Sequence, residues 1–147
     1  MKILMVCLGN ICRSPLAQGI MEQHAPADWR IDSAGTSGWH EDERPDTRSI
    51  LIAKERGIAI DHQRSRQVNE EDFETFDIIF AMDSSNYTNL IRLAPNEAAK
   101  AKVRLILNEA YPGENRQVPD PYTGGQSGFR HVYELLEEAV QSFIKKY

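Results

Sequence analysis

Short apolar runs alternate with amphipathic segments along the whole chain. Four of these runs have the length and composition of buried strands, at residues 2–6, 29–33, 78–82 and 103–107. The segments between them carry apolar residues at helical spacing instead. Strands that alternate with helices favour a parallel sheet covered on both faces. The pattern therefore predicts an α/β fold with one four-stranded parallel sheet.

The sequence signals for the predicted helices differ in strength. Two are expected at residues 14–24 and 47–56. A third, capped by Ser84 or Ser85, is ended by Pro95. The last has the strongest pattern, an apolar stripe formed by Phe129, Val132, Tyr133, Leu136, Val140, Phe143 and Ile144. Such a stripe predicts a helix that packs against the core.

Two long segments are predicted to be irregular. Residues 34–46 are polar, contain glycine and carry Trp39 in a position that we expect to be exposed. Residues 109–128 are rich in glycine and proline and contain Asp120. Long loops inside a small domain are usually functional. These two segments are therefore candidates for recognition and chemistry.

The composition is that of a single globular domain, residues 1–147. A net charge of −5 argues against general binding to nucleic acid or to an anionic membrane. No apolar run approaches the roughly 20 residues of a membrane-spanning helix. With only two cysteines, the chain lacks the disulfide framework of a secreted fold. We therefore expect a cytoplasmic protein with no nucleic-acid or membrane partner.

Residues 7–14, Cys-Leu-Gly-Asn-Ile-Cys-Arg-Ser, lie at the joint between the first predicted strand and the first predicted helix. Ser14 is expected to be the N-cap of that helix, and Pro15 suits its first turn. A phosphate-binding loop at this point would gather several backbone N–H groups at the positive end of the helix dipole. Such a loop binds a tetrahedral oxyanion. The residues expected to line the anion are Leu8, Gly9, Asn10, Ile11, Cys12 and Ser14.

Two side chains add chemistry to this anion site. Cys7 and Arg13 have five residues between them, and a curled loop of that size brings both side chains to one phosphate. Arg13 can grip two phosphate oxygens with its planar fork. The helix N-terminus and the nearby cation favour the thiolate form of Cys7, which is a strong nucleophile. Gly9 gives the backbone room to turn, and Asn10 tolerates a left-handed conformation.

This loop, together with Asp120-Pro121-Tyr122 far downstream, closely resembles the low-molecular-weight protein tyrosine phosphatases. A Cys-X5-Arg pattern alone is only moderately specific, but Cys-X5-Arg-Ser near residue 1 combined with the later Asp-Pro-Tyr is highly specific. Further matching residues extend over nearly the whole chain: Ser33-Ala34-Gly35, Trp39, Pro45-Asp46-Thr47-Arg48, Ser65-Arg66-Gln67, Asp77 and Ala81-Met82-Asp83.

The resemblance implies a metal-independent phosphatase that needs no cofactor. Cys7 would attack phosphorus to give a phosphocysteine, while Arg13 and the loop amides hold the equatorial oxygens. Asp120 would protonate the leaving phenolate and then activate water. Judged by residue type alone, an aspartate between prolines is as readily a turn former as an acid. The implied substrate is a tyrosine-phosphorylated protein, with a tyrosine kinase as one candidate, and the implied product is inorganic phosphate.

The resemblance also implies supporting residues. Four positions match residues that brace the loop: Asn10, Ser14, Ser33 and His62. The Ser14 hydroxyl would also hydrogen-bond the thiolate. Trp39 and Tyr122 would form the walls of a slot that phosphotyrosine can reach through and phosphoserine cannot, although two unrelated surface aromatics are the alternative. Thr123 stands where eukaryotic members of the family often carry another aromatic residue, which changes the shape of the slot.

The sequence leaves two roles open for Cys12. It could form a disulfide with Cys7 on oxidation and so protect the nucleophile, as the resemblance suggests, or it could be a small packing residue. The two thiols have no second Cys or His pair beside them, and they are not the ligand set of a structural zinc site.

Three other functions fit the sequence less well. An arsenate reductase of the same fold has a similar loop, but its thiol relay needs cysteines beyond Cys12. A P-loop nucleotide enzyme would need Gly-Lys-Ser or Gly-Lys-Thr at the loop. A non-catalytic phosphotyrosine-binding or redox-sensing module is the alternative from a different class. The intact set of Cys7, Arg13 and Asp120 argues against it.

Overall fold

A computed structural model describes all residues of the chain, 1–147. Its four strands are β1 (Lys2–Cys7), β2 (Arg30–Gly35), β3 (Ile78–Ala81) and β4 (Val103–Leu105). They form one sheet in the order β2-β1-β3-β4, and every pair of neighbours is parallel. The prediction of an α/β fold with a four-stranded parallel sheet is therefore confirmed.

Helices cover both faces of this sheet, as the alternating pattern predicts. They are α1 (Arg13–His24), α2 (Thr47–Glu55), α3 (Asp72–Thr75), α4 (Ser84–Leu93), α5 (Glu97–Lys100) and α6 (Gln126–Ile144). The core on one face is shared with α1, α2 and α6, and the core on the other face with α3, α4 and α5. None of the helices combines the length and the apolar character needed to cross a membrane.

Alternate residues of β1 supply the two cores. Ile3 and Met5 pack with the larger cluster, whereas Leu4 and Val6 pack with the smaller one. All four side chains have no exposed surface. Successive strand residues point to opposite faces, so a strand covered on both sides must be apolar throughout. Burial of each such side chain stabilises the fold by roughly 1.5–3 kcal/mol.

The apolar stripe predicted for the last helix is buried along α6. Six of its members have no exposed surface: Phe129, Val132, Tyr133, Leu136, Val140 and Phe143. Ile144 is partly buried against the same core. The helix begins at Gln126, within the segment predicted to be a loop, and Gly125 occupies its N-cap position. Its first turn is Gln-Ser-Gly, a composition typical of loops, so the pattern places the start of the helix too late.

Two further local predictions are wrong. Asp83, not Ser84 or Ser85, caps α4, because its carboxylate accepts a hydrogen bond from the Asn86 N–H at 2.8 Å. β4 is shorter than predicted, since a 3₁₀ helix at Ile106–Glu109 follows it directly. In both cases the residue types at the boundary fit either assignment.

The strand order fixes where a ligand can bind. The chain passes from β1 to β2 on one side and later returns to β3 on the other side of β1. A parallel sheet has a crevice at the carboxyl ends of its strands where the order reverses in this way. The loop that follows β1 opens into this crevice.

Candidate active site

The first and last residues of the phosphate-binding loop belong to regular elements. Cys7 ends β1 and Arg13 begins α1, so the sheet fixes one and the helix the other. Asn10, between them, has a φ of 57°, the left-handed conformation that the sequence predicted it to tolerate. Cys7 is 3% exposed and Arg13 is 2% exposed. The loop therefore presents both groups at the base of the crevice.

The loop turns its carbonyl groups away from the crevice. The Leu8 carbonyl accepts a hydrogen bond from the Ser37 N–H at 3.0 Å, and the Ile11 carbonyl accepts one from the Asp46 N–H at 2.7 Å. None of the N–H groups of residues 8–12 donates a hydrogen bond within the protein. Because C=O and N–H point in opposite directions across a trans peptide, these donors remain available to an anion.

A hydrogen-bond network lies beneath the loop. The Cys7 Sγ and the Ser14 Oγ are 3.0 Å apart. Asn10 Nδ2 donates to the Ser14 Oγ at 2.8 Å and to the Ser33 Oγ at 3.0 Å. Its Oδ1 accepts from the Arg66 N–H at 3.0 Å. Since the Ser14 oxygen already accepts from Asn10, its own proton is free to point at the sulfur, which stabilises a thiolate.

Ser14 does not cap α1 as predicted. The helix begins at Arg13, Cys12 occupies the N-cap position, and no side chain accepts a hydrogen bond there. Ser14 is thus inside the first turn, where its hydroxyl faces Cys7. The Ser14 hydroxyl hydrogen-bonds the Cys7 sulfur and does not cap the helix. The first N–H groups of the helix therefore stay open toward the crevice.

Arg13 is held by one edge of its guanidinium. Nη1 donates to the Asp83 Oδ2 at 2.7 Å and to the Val118 carbonyl at 2.9 Å. Burial alone would lower the pKa of Arg13, but the negative charges of Cys7 and Asp83 raise it above its ordinary value. The Nε and Nη2 donors make no hydrogen bond within the protein. This edge of the fork is the one available to two phosphate oxygens.

Asp120 lies at the mouth of the crevice. Its side chain is 46% exposed, and its Oδ2 is 3.9 Å from the Arg13 Nη2. The other oxygen, Oδ1, accepts a hydrogen bond from the Tyr122 N–H at 3.0 Å. One carboxylate oxygen is therefore fixed by the backbone, and the other faces the guanidinium and the cleft.

The crevice is a cleft of about 290 Å3. Its lining residues are Cys7, Leu8, Gly9, Ile11, Cys12, Arg13, Trp39, His40, Asp120, Tyr122 and Thr123. The structure thus brings Trp39 and Tyr122 to the same cleft although 83 positions (122 − 39) separate them in the chain. Trp39 is 76% exposed and Tyr122 is 48% exposed, so both aromatic side chains are accessible at the surface of the cleft.

The structure does not bring His62 to the loop. This side chain is exposed and makes no hydrogen bond, so the prediction that it braces the loop is wrong. The neighbouring Gln63 is the residue that turns inward, and its Nε2 donates to the Pro15 carbonyl at 3.1 Å in α1. Ser33 and Asn10 are in the predicted network.

Three contributors to the site were not predicted as such. The Arg66 N–H holds Asn10 as described above. His40 lies against the loop, with its Cδ2 only 3.0 Å from where a Cβ of Gly9 would lie, and its Nδ1 is 2.9 Å from the Glu43 Oε2. Arg48 contacts the segment that carries Asp120 and Tyr122. Only Arg48 and Arg66 gave a signal, as matches to the family pattern without an assigned role.

Cys12 differs from Cys7 in its surroundings. Burial, together with the negative charges of Asp46 and Cys7, raises the pKa of the Cys12 thiol to about 12. Cys12 is therefore a neutral thiol at physiological pH. Both cysteines are free. No group of three or more His, Cys, Asp or Glu side chains lies close enough to hold a metal ion.

This arrangement can bind and transfer a phosphoryl group. The Cys7 sulfur, Arg13 and loop residues whose N–H groups have no partner within the protein line one cleft. The half-exposed Asp120 carboxyl group lines the same cleft. A thiolate, an oxyanion cradle and a proton donor are the parts that nucleophilic phosphoryl transfer requires.

Comparisons with known proteins agree with this geometry. Residues 2–147 match the family model of the low molecular weight phosphotyrosine protein phosphatases. The low molecular weight phosphotyrosine protein phosphatase of Schizosaccharomyces pombe is 43% identical over 150 residues, which cover 98% of this chain and 95% of the relative. A crystal structure of a protein tyrosine phosphatase from Entamoeba histolytica has a TM-score of 0.92 and 42% identity, covering 99% of this chain and 96% of the other.

A second similar structure has a different substrate in its name. Drosophila arginine phosphatase has a TM-score of 0.91 and 32% identity, and the match covers 100% of this chain and 98% of the other. The shared fold therefore does not by itself select the group that carries the phosphate. The family model matches almost the whole chain, and the relatives are similar over nearly their full length. The chain therefore belongs to the low molecular weight phosphotyrosine protein phosphatases.

Proposed function

We propose that the protein hydrolyses phosphotyrosine in proteins through a phosphocysteine formed on Cys7. The observation that carries this proposal is the position of the Cys7 sulfur. It lies 3.0 Å from a hydroxyl that can donate to it, below a loop whose N–H groups are unused. A thiolate held in this way is a nucleophile that faces the N–H donors of an oxyanion-binding loop.

The first step joins sulfur to phosphorus. The Cys7 thiolate attacks in line, and the phosphoryl oxygens rest on the loop N–H groups and on Nε and Nη2 of Arg13. The bond from phosphorus to the phenolic oxygen breaks as Asp120 gives its proton to that oxygen. The free phenol leaves, and the phosphoryl group remains on the sulfur.

The second step reverses the roles of the acid. Asp120, now a carboxylate, takes a proton from a water molecule as that water attacks phosphorus. The sulfur leaves as a thiolate, stabilised again by the Ser14 hydroxyl. Inorganic phosphate is the product, and Asp120 is protonated for the next turnover. No cofactor enters this scheme.

The walls of the cleft support a tyrosine substrate. Trp39 and Tyr122 offer aromatic faces that can pack on either side of a phenyl ring, and Ile11 adds an apolar contact. A serine side chain is too short to carry its phosphate past these walls to Cys7. Since a relative is named an arginine phosphatase, phosphoarginine is the competing substrate to measure.

The test compares three phosphorylated peptides that differ only in the modified residue. We expect kcat/KM to be highest for phosphotyrosine, far lower for phosphoarginine and undetectable for phosphoserine. Replacement of Trp39 by Ala should reduce the preference for phosphotyrosine. A preference for phosphoarginine would overturn the substrate assignment.

The chemistry has its own test. Cys7→Ser should abolish turnover and still bind inorganic phosphate, because the N–H cradle and Arg13 remain. Rapid acid quench of the wild type with ³²P-labelled substrate should trap the label on cysteine. Label on histidine or aspartate, or no label during active turnover, would refute the phosphocysteine.

The role of Asp120 as general acid is tested with aryl phosphates that differ in the phenol they release. Asp120→Ala should lower kcat/KM strongly for aryl phosphates whose phenols are weak acids, and only slightly for those whose phenols are strong acids. Equal losses across the series would remove Asp120 from this role.

We propose a protective role for Cys12. Peroxide converts the Cys7 thiolate to a sulfenic acid; the Cys12 sulfur then attacks, releasing water and forming a disulfide that thiols can reduce. Two unpaired cysteines suit a reducing compartment, and we propose that the enzyme acts in the cytoplasm. Recovery of activity with dithiothreitol after peroxide should be lost in Cys12→Ser, and unchanged recovery would refute this role.

A further inference from the structure

Arg48, in the first turn of α2, is tied to a carboxylate by three hydrogen bonds. Its backbone N–H donates to the Asp46 Oδ1 at 2.9 Å, as the N-terminal cap of the helix. Its Nε donates to the same Oδ1 at 3.0 Å, and its Nη2 donates to Oδ2 at 3.0 Å. The hydrogen bonds from Arg48 lower the pKa of Asp46 below its usual range. The guanidinium is therefore held rigidly along one edge.

The other edge of the same guanidinium holds the segment at residues 119–125. Nη2 donates to the Tyr122 carbonyl at 2.8 Å, and Nη1 donates to the Gly124 carbonyl at 2.9 Å. The guanidinium also lies 4.5 Å from the centre of the Phe129 ring and 5.7 Å from that of Tyr122. Only a planar fork can satisfy both edges at once; an ammonium group cannot.

These contacts reach the proposed acid through one residue, Tyr122. Arg48 fixes the carbonyl of Tyr122, and the N–H of Tyr122 donates to the Asp120 Oδ1 at 3.0 Å. Asp120 Oδ2 is left to face Arg13 at 3.9 Å. Arg48 is the only side chain from outside residues 119–125 that hydrogen-bonds their backbone. The orientation of the Asp120 carboxyl group therefore depends on Arg48.

The start of α2 also contacts the phosphate-binding loop. The Asp46 N–H donates to the Ile11 carbonyl at 2.7 Å, and the Ser49 hydroxyl donates to the Cys12 carbonyl at 3.2 Å. The start of α2 thus contacts the loop that holds the phosphate on one side and the segment that carries the acid on the other. A displacement of either segment would change the distance between the Asp120 carboxyl group and the leaving oxygen.

We propose that Arg48 is a positioning residue for the general acid. It sets the register of residues 119–125 over the phosphate-binding loop, so that the Asp120 proton is delivered to the leaving oxygen. This inference rests on the proposed function, since it assigns Arg48 a part in the same proton transfer. Arg48 itself is not among the residues that line the cleft with Cys7.

The test uses aryl phosphates that differ in the acidity of the phenol released. Arg48→Lys and Arg48→Gln should lower kcat/KM about tenfold for phenols that are weak acids, a part of the ~10²–10⁴-fold that general acid catalysis supplies. For phenols that are strong acids, kcat/KM should fall less than about twofold, because they leave without a proton. The comparison is made within one preparation. Any unfolded fraction then lowers every rate equally and leaves the substrate dependence unchanged.

The matched control is Arg56→Gln. Arg56 follows α2, lies 5.0 Å from the centre of the Tyr133 ring and pairs with Glu134 on α6, so it makes the same kinds of contact away from the acid. We expect wild-type kcat/KM for every aryl phosphate in this variant. A substrate dependence in Arg56→Gln equal to that of Arg48→Gln would attribute the effect to general loosening and overturn the proposal.

A double variant tests whether Arg48 acts through Asp120. Adding Arg48→Lys to Asp120→Ala should change kcat/KM for weakly acidic phenols less than about twofold, because the acid is already gone. A further tenfold loss would show that Arg48 acts by another route and overturn the proposal. If Asp120→Ala itself shows no dependence on the phenol, the proposed function fails; if it does and the Arg48 variants do not, this inference alone fails.

Discussion

Asn10 allows the cost of a left-handed backbone to be separated from the cost of lost hydrogen bonds. Its side chain is buried and makes three hydrogen bonds, two as donor and one as acceptor. At about 1 kcal/mol each, their loss costs about 3 kcal/mol. A non-glycine residue without a polar side chain pays about a further 1 kcal/mol at a φ of 57°. Asn10→Ala should therefore lose about 4 kcal/mol of unfolding free energy, and Asn10→Gly about 3 kcal/mol.

Activity should follow a different order from stability. Both substitutions remove the Asn10 amide that orients the Ser14 hydroxyl toward the Cys7 sulfur. We expect kcat/KM on an aryl phosphate to fall about tenfold in both variants, which corresponds to the loss of one hydrogen bond to a charged group. Urea unfolding followed by circular dichroism measures the stability, and initial rates on folded protein measure the activity.

Asn115 provides the matched control. It also has a positive φ, 53°, and it pairs only with Asn108 in a surface turn. Asn115→Gly should be more stable than Asn115→Ala by a similar margin, with wild-type kcat/KM in both. If Asn10→Gly is no more stable than Asn10→Ala, the cost assigned to the left-handed backbone at residue 10 is wrong. If both Asn10 variants keep wild-type kcat/KM, Asn10 does not orient Ser14.

Three further substitutions test the surroundings of the loop. Asp83→Asn weakens the charged anchor of Arg13, and we expect a higher inhibition constant for inorganic phosphate and a kcat/KM at least about tenfold lower in steady-state assays. Gly35→Ala places a Cβ 2.7 Å from the Leu8 carbonyl oxygen, so phosphate affinity measured by calorimetry should fall as the loop is pushed away. Above pH 9 the unfolded Cys12 thiol ionises while the folded one keeps its proton to about pH 12, so stability falls as pH rises through this range. Urea unfolding of Cys12→Ala should show a shallower decline by up to about 1.4 kcal/mol per pH unit, and an equal decline would refute the assignment.

The elements that the sequence predicts well are those whose signal is local. The apolar runs that form β1 and β3 are buried on both faces, and nothing but a covered parallel sheet accommodates such runs. The left-handed Asn10 and the buried stripe of α6 are equally local consequences of residue type and spacing. The loop that joins β1 to α1 is predicted for the same reason.

The errors arise where one residue type suits two local environments. Ser14 fits a helix cap and a partner for a thiolate, and the contact with Asn10 decides for the thiolate. His62 and Gln63 are adjacent polar residues in one turn, and the sequence does not say which of them points inward. The hydrogen bonds of Arg13 and those of Arg48 to residues 119–125 join segments that are far apart in the chain. No pattern within either segment reveals such pairs.

The hydrogen bond from Arg13 to the carbonyl of Val118 spans 105 positions of the chain. The guanidinium that we propose holds the phosphate is thus oriented by a segment synthesised long after it. Until Val118 has been synthesised and has docked, this contact to Arg13 cannot form, and the proposed phosphate site is incomplete. We therefore expect a growing chain to gain phosphatase activity only after synthesis has passed this segment.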